Sequence, residues 1–202
     1  MLNRRIPIVW LLIALCVWGG WRSWSRRSVP ALQGAIAPDP PMQAALDGDD
    51  ASFVHNAWTL KPLAAFALEA RVLSREDYRF DRMASLVPTD LALGWGRMSD
   101  SAVLEHIEIS QSGRFFYWKL REFPIPEREI VSSAANMHLI PADDAVAEAL
   151  DTVRVGQRVR LRGRLVEARS DNGVTLRSSL RRDDSGAGAC ELIWVEAFEI
   201  QP

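Results

Sequence analysis

Cysteine is scarce in this 202-residue chain, and the pattern of histidines does not suggest a metal site. The two cysteines are far apart, with Cys16 in an N-terminal apolar run and Cys190 near the other end, so no intramolecular disulfide is expected. The three histidines, His55, His106 and His138, have no metal-ligand spacing with one another or with a cysteine pair. We therefore expect no metal ion and no cofactor, and packing must hold the domain together.

Lysine is almost missing, and acidic residues are absent from the first part of the chain. Only Lys61 and Lys119 are lysines among 24 basic residues, an arginine bias that lowers the value of any single arginine as a functional signal. All 26 acidic residues lie after Ala37, together with 19 of the basic ones, which gives this part a net charge of −7. An acidic domain is a poor general binder of nucleic acid, so nucleic acid is not expected as a partner.

The first residues resemble a membrane anchor. Arg4 and Arg5 precede an apolar run from Ile6 to Trp21, and Arg22 follows it. A 16-residue helix is about 24 Å long, near the short limit for a hydrocarbon core of about 30 Å. The sequence predicts an anchor over residues 1–27 that contacts the membrane through residues 6–21. A cleaved signal peptide is the alternative, but no small-x-small cleavage site follows closely.

Composition divides the remainder into two parts. Prolines at positions 30, 38, 40 and 41 favour an irregular tether over residues 28–50. Residues 51–202 are long enough for one domain with its own core. We expect a single-pass protein of the bacterial inner membrane whose C-terminal domain is periplasmic.

The sequence of this domain predicts a mainly β fold. Alternating apolar residues predict strands over 64–73 and 153–168, and a hairpin joins 106–110 to 114–120. A short helix is expected over 101–105, and another begins near Asp144 and runs through Leu150.

Two resemblances follow from these patterns. The order of strands and helix, with the Gly-led strand from Val155 to Val166, resembles the OB fold, which implies a barrel of five or six strands with one short helix between strands. A β-sandwich is the alternative. The segments Leu91–Gly96, Met98–Asp100 and Ser132–Ala142 resemble an uncharacterised family of bacterial single-span membrane-anchored proteins, a resemblance that implies no known activity.

An arginine face is one candidate site. Arg158, Arg160 and Arg162 share one parity within the Arg154–Arg164 strand and would point the same way. With aromatic residues nearby, they could bind single-stranded nucleic acid. The competing interpretation is a solvated face paired with carboxylates, which the acidic net charge favours.

A cysteine–histidine hydrolase is the second candidate. Cys190 follows a glycine-rich segment, and His138 lies in a polar stretch, so the pair could supply a nucleophile and its base. However, Cys190 shares the parity of Leu192 and Trp194 on the last strand, and this predicts a core position.

Trp95, flanked by Gly94 and Gly96, could instead present an indole at a loop tip, although the favoured interpretation is that it folds back over one end of the barrel. From these observations the sequence predicts a non-enzymatic, membrane-tethered binding or scaffolding module of the cell envelope. Its protein partner would be met by the loops around Trp95, His138 and residues 183–189, while any small-molecule ligand is unknown.

Overall fold

The computed structural model describes residues 6–25, 27–30, 34–48, 51–181 and 190–202. Arg4, Arg5 and the predicted partner-binding loop at 183–189 lie outside these residues. The described helices are α1 (Ile6–Ser25), a 3-10 turn (Gly96–Ser99), α2 (Ser101–Leu104), α3 (Glu127–Ser132) and α4 (Asp144–Thr152). The described strands are β1 (Met42–Ala44), β2 (Phe53–His55), β3 (Trp58–Asp77), β4 (Thr89–Gly94), β5 (Glu108–Ser112), β6 (Phe115–Lys119), β7 (Ala134–Pro141), β8 (Arg158–Ser170), β9 (Thr175–Arg177) and β10 (Glu191–Gln201).

Eight of these strands form one sheet. Its hydrogen-bonded order is β1-β3-β4-β7-β10-β8-β9, β2 pairs with β3, and β3 also pairs with β8. Most pairings are antiparallel, but β7 and β10 run parallel. The strands β5 and β6 form a separate two-stranded hairpin.

The long strand β3 organises the sheet. It pairs with β8 from Trp58 to Arg71, and with β2, β1 and β4 in succession along its length. Its register against β8 shifts between Pro62 and Ala64. Pro62 has no N–H to donate to the ladder, so an irregularity at this point is expected.

The main core lies on one face of this sheet, as the alternating pattern predicts. From β3 it receives Phe66, Leu68, Ala70 and Val72, and from β8 it receives Val159, Leu161 and Leu165, while the arginines of β8 point outward. The strand predictions for these two segments are therefore confirmed.

The two predicted helices in the domain are also found, and each is preceded by an aspartate at its N-cap. The Asp100 carboxylate accepts a hydrogen bond from the Ala102 N–H, and Asp143 accepts one from Val146. Such side-chain caps satisfy backbone donors that the first turn leaves unpaired.

Part of the predicted tether packs against the domain. The strand β1 pairs with β3, and Ala37 is fully buried. The Ala37 N–H donates to the Ser99 hydroxyl at 3.1 Å, and the Ala37 carbonyl accepts from the Gly96 N–H at 2.8 Å.

The predicted anchor is contradicted. Within the described residues, no helix has both the length and the apolar character that a membrane crossing requires. The helix α1 contains 20 residues, but glycines, Arg22 and two serines occupy its last part, so the apolar portion is shorter than the roughly 20 residues that span a bilayer. The predicted single-pass location in the inner membrane, with a periplasmic domain, depended on this anchor. It is therefore contradicted as well.

The predicted architecture is corrected as well. The chain is mainly β, but the OB-like barrel of five or six strands with one helix was wrong: the described residues form an eight-stranded sheet with no closed barrel assigned, a separate hairpin and three short α-helices beyond α1. The strands β1, β2 and β9 have three residues each, too few to show an alternating pattern in the sequence.

Candidate functional site

Three neighbouring strands bring Asp90, His138 and Cys190 together. In the antiparallel pair of β4 and β7, Asp90 lies directly opposite His138. In the parallel pair of β7 and β10, His138 lies beside Leu192, two residues after Cys190. Residues that face each other across strands point to the same side of a sheet, so Asp90 and His138 share one face. Cys190 immediately precedes β10 and is close enough to His138 to raise its pKa, so the three polar side chains meet on that side although they are distant in sequence.

This face is the one opposite the main core. The alternate residues of the same strands, Leu91, Met137, Leu139 and Ile193, point into the main core. The polar strip lies between two smaller apolar clusters, one that includes Ala92 and Ala134 and another that includes Ile140 and Leu192.

The closest contact in the strip joins His138 and Asp90. Their Nδ1 and Oδ1 atoms are 2.9 Å apart, and the side chains are 13% and 0% exposed. The Nδ1 atom has no partner that meets hydrogen-bond angles, so we describe this contact as an ion pair rather than an aligned hydrogen bond. Burial alone would lower the pKa of His138, but the contacts with Asp90 and Cys190 outweigh burial and raise the pKa to about 9. His138 is thus held as the imidazolium at neutral pH.

Cys190 is a half-buried free thiol just before β10. It is close enough to the imidazole for the thiol to contribute to the raised pKa of His138. Its Sγ also lies 4.0 Å from the Arg114 carbonyl oxygen, to which the thiol donates. The predicted core position of Cys190 is therefore wrong, since its side chain is half-buried beside His138.

Cys190 and His138 line an open cleft. Its volume is about 280 Å³, and it is bounded by apolar side chains that include Phe115, Leu176 and Leu192. Arg177 also lines the cleft and pairs with Glu167. A nucleophile and a base at the wall of a cleft can meet a small molecule without rearrangement.

Asp90 is the centre of a wider polar network. The same Oδ1 that contacts His138 accepts from Arg114 Nη1 at 2.9 Å. The Asn136 amide is 3.5 Å from Asp90 Oδ2, and it also donates to the Arg114 carbonyl at 3.0 Å. A buried carboxylate needs such partners, because leaving the charge unpaired in the interior costs several kcal/mol.

Of the residues predicted as binding sites only His138 belongs to this cluster, together with Cys190 of the hydrolase alternative. His138 lies in it, but Trp95 is buried in the main core with 4% exposure and does not form a loop tip. Arg158, Arg160 and Arg162 lie on β8, where Arg158 and Arg160 contact Glu69 at 3.5 and 3.0 Å. These two contacts fit the interpretation of a solvated, paired face.

Asp90 was not predicted from the sequence, where it stands in a segment rich in turn signals. The usable signal was a single carboxylate beside the apolar alternation of Leu91 and Leu93, which places Asp90 and the leucines on opposite faces of the strand. Arg114 was missed because its role depends on a turn.

The described part of the chain holds no group of three or more histidine, cysteine, aspartate or glutamate side chains arranged for a metal ion. Comparisons of this chain with protein-family models, with curated proteins and with solved structures found no match.

Proposed function

We propose that the chain carries a cysteine-dependent acyl-transfer site, in which Cys190 is the nucleophile, His138 the general acid–base and Asp90 the group that orients the imidazole. The observation that supports it is the convergence of these three side chains on one sheet face, with His138 and Cys190 at the wall of a cleft. A nucleophile, a base and a third group that orients the base are the recurring parts of such sites.

The chemistry needs no redox partner. Because His138 is held as the imidazolium, the Cys190 thiol releases its proton to solvent water, and the thiolate sulfur attacks the carbonyl carbon of an ester, thioester or amide. The bond from that carbon to the leaving group breaks, the leaving group takes the proton from His138, and a thioester to Cys190 remains. Water then attacks the thioester with the now neutral His138 as base, which releases a carboxylic acid and restores the imidazolium beside the thiolate.

The surroundings suggest the class of acyl group. The cleft is lined by the apolar side chains of Phe115, Leu176 and Leu192. Arg114 and Arg177 also line it, so the cleft favours an acyl group with an apolar portion over a cationic one. The non-enzymatic binding module expected from the sequence stays a prediction, and one of its three expected contact regions, Trp95, is buried with 4% exposure.

The competing explanation is that Cys190 only fills space. A buried free cysteine often acts as a small apolar side chain. Against this, Cys190 is half-buried, lines an open cleft and lies beside a cationic imidazole, the environment in which thiols become nucleophilic.

Acyl trapping tests the proposal directly. The full chain carrying Cys16→Ser is mixed with 4-nitrophenyl butyrate, nitrophenolate release is followed, and the protein mass is measured after rapid quenching. We expect a burst of nitrophenolate and a butyryl adduct on Cys190, both lost in Cys190→Ser and reduced at least about 100-fold in His138→Gln.

His106→Gln is the matched control, because His106 lines a different cleft from the one that contains Cys190 and His138. It should leave the burst unchanged. If the adduct does not form on Cys190, or forms as fast in His138→Gln, the proposed acyl-transfer site is refuted.

A further inference from the structure

Arg114 occupies an unusual place in the hairpin of β5 and β6. Ser112 pairs with Phe115, so Gly113 and Arg114 are the two central residues of the turn. Both have positive φ, 58° and 72°. This mirror-image turn suits glycine or asparagine at its centre, and a longer side chain is strained there. An arginine that accepts this conformation must be held by contacts elsewhere.

The guanidinium supplies those contacts. Its Nε and Nη2 each donate to the Asp81 carboxylate at 2.9 Å, and Nη1 donates to Asp90 Oδ1 at 2.9 Å. The group lies over the Tyr78 ring at 3.5 Å, and the Arg114 N–H donates to the Tyr78 hydroxyl at 3.0 Å. All three guanidinium nitrogens are therefore engaged, and the side chain is 11% exposed.

The backbone of the same residue contacts the nucleophile. The Arg114 carbonyl accepts from the Cys190 thiol and from the Asn136 amide. Gln111, on β5, donates in turn to the Asn136 oxygen at 2.6 Å. The hairpin thus contacts Asn136 through both Gln111 and Arg114.

We propose that Arg114 is a positioning residue of the Cys190 site: its guanidinium holds Asp90 against His138 and limits the negative charge that His138 experiences, while its carbonyl holds the thiol. This inference rests on the proposed acyl-transfer function. The role arises because Arg114 and His138 share one carboxylate oxygen, so the cation on Arg114 opposes the cation on His138.

The charged and titratable groups around His138 come from several elements. Asp90 comes from β4, Arg114 from the hairpin turn, Arg177 from β9 and Cys190 from the segment before β10. Asp81 contacts Arg114, and the pKa of Asp81 is lowered chiefly by its hydrogen bonds from that guanidinium. Removing Arg114 and removing Asp81 should therefore shift the pKa of His138 in opposite directions.

The test is the titration of His138, followed by NMR of the imidazole in the full chain. Arg114→Gly suits the positive φ and removes the cation, so the pKa of His138 should rise by about 1. Asp81→Asn removes an anion and leaves Arg114 less compensated, so the pKa of His138 should fall. Arg114→Lys keeps the charge and should leave the titration near that of the wild type.

A purely structural Arg114 would change thermal stability in the glycine and lysine variants alike without moving the titration of His138. Unchanged titration in Arg114→Gly, or shifts of the same sign in Arg114→Gly and Asp81→Asn, would overturn the proposal. If Arg114→Gly fails to fold, Asp81→Asn alone decides, because Asp81 is 37% exposed and an asparagine keeps its shape and one carbonyl oxygen that can still accept from Arg114. The titration does not depend on turnover, so this inference can fail while acyl trapping succeeds, and the reverse.

Discussion

Raising the pH through the range in which His138 loses its proton should remove a defined part of the stability of the fold. The ordinary pKa of histidine is 6.5, and the value for His138 is raised to about 9. One pKa unit corresponds to about 1.4 kcal/mol, so the protonated pair with Asp90 contributes about 3 kcal/mol at most. Because the folded-state pKa is the higher one, this contribution is complete below pH 6.5 and is lost as the pH rises through about 9.

Urea unfolding of the wild type, His138→Gln and His106→Gln at about pH 6 and about pH 10 measures the effect. Between about pH 6 and about pH 10, the free energy of unfolding should fall by about 3 kcal/mol more in the wild type than in His138→Gln. The stabilities of the two proteins should therefore become similar at high pH. His106→Gln should follow the wild type, since His106 is exposed and lies away from Asp90. The same pH dependence in His138→Gln and the wild type would refute the reasoning.

Three further predictions concern stability. Gly163→Ala should destabilise the fold by several kcal/mol in urea unfolding, because a Cβ at this position would lie 1.9 Å from the Trp194 carbonyl oxygen, whereas Gly20→Ala meets no atom within 4 Å and should have little effect. Asp143→Ala should cost about 1 kcal/mol by removing the cap of α4, and Asp143→Asn should retain most of it; equal losses would contradict the capping role. Arg160→Ala should change the free energy of unfolding by less than about 1 kcal/mol, since its pair with Glu69 is largely exposed, and a larger loss would give the arginine face a structural role.

Local patterns predicted much of the sheet and little of the site. The alternation in β3 and β8 identified core residues correctly, because each strand has one face against the main core. The hairpin was predicted, but its turn was placed at Gln111-Ser112-Gly113, whereas the structure centres it on Gly113 and Arg114. An arginine at positive φ has no signal in the sequence, because the contacts that compensate for it come from distant residues.

The site itself depends on pairings between strands. His138 and Cys190 were considered together, but Asp90 was not, since its position opposite His138 follows from the register of β4 against β7. Parity along β10 assigned Cys190 to the core, because the pattern does not show that Leu192 and Trp194 belong to the outer apolar cluster. The anchor was inferred from an apolar run and its flanking arginines, and α1 lacks the apolar length.

The most direct test of an activated Cys190 is the rate of its alkylation by iodoacetamide in the Cys16→Ser background, compared between the otherwise wild-type chain and His138→Gln. With a cationic imidazole beside the thiol, the otherwise wild-type chain should react at least about tenfold faster at about pH 7, and the difference should shrink as the pH rises past about 9 and His138 loses its proton. Equal rates in the two proteins across this pH range would contradict the account, because His138 would then have no influence on the thiol.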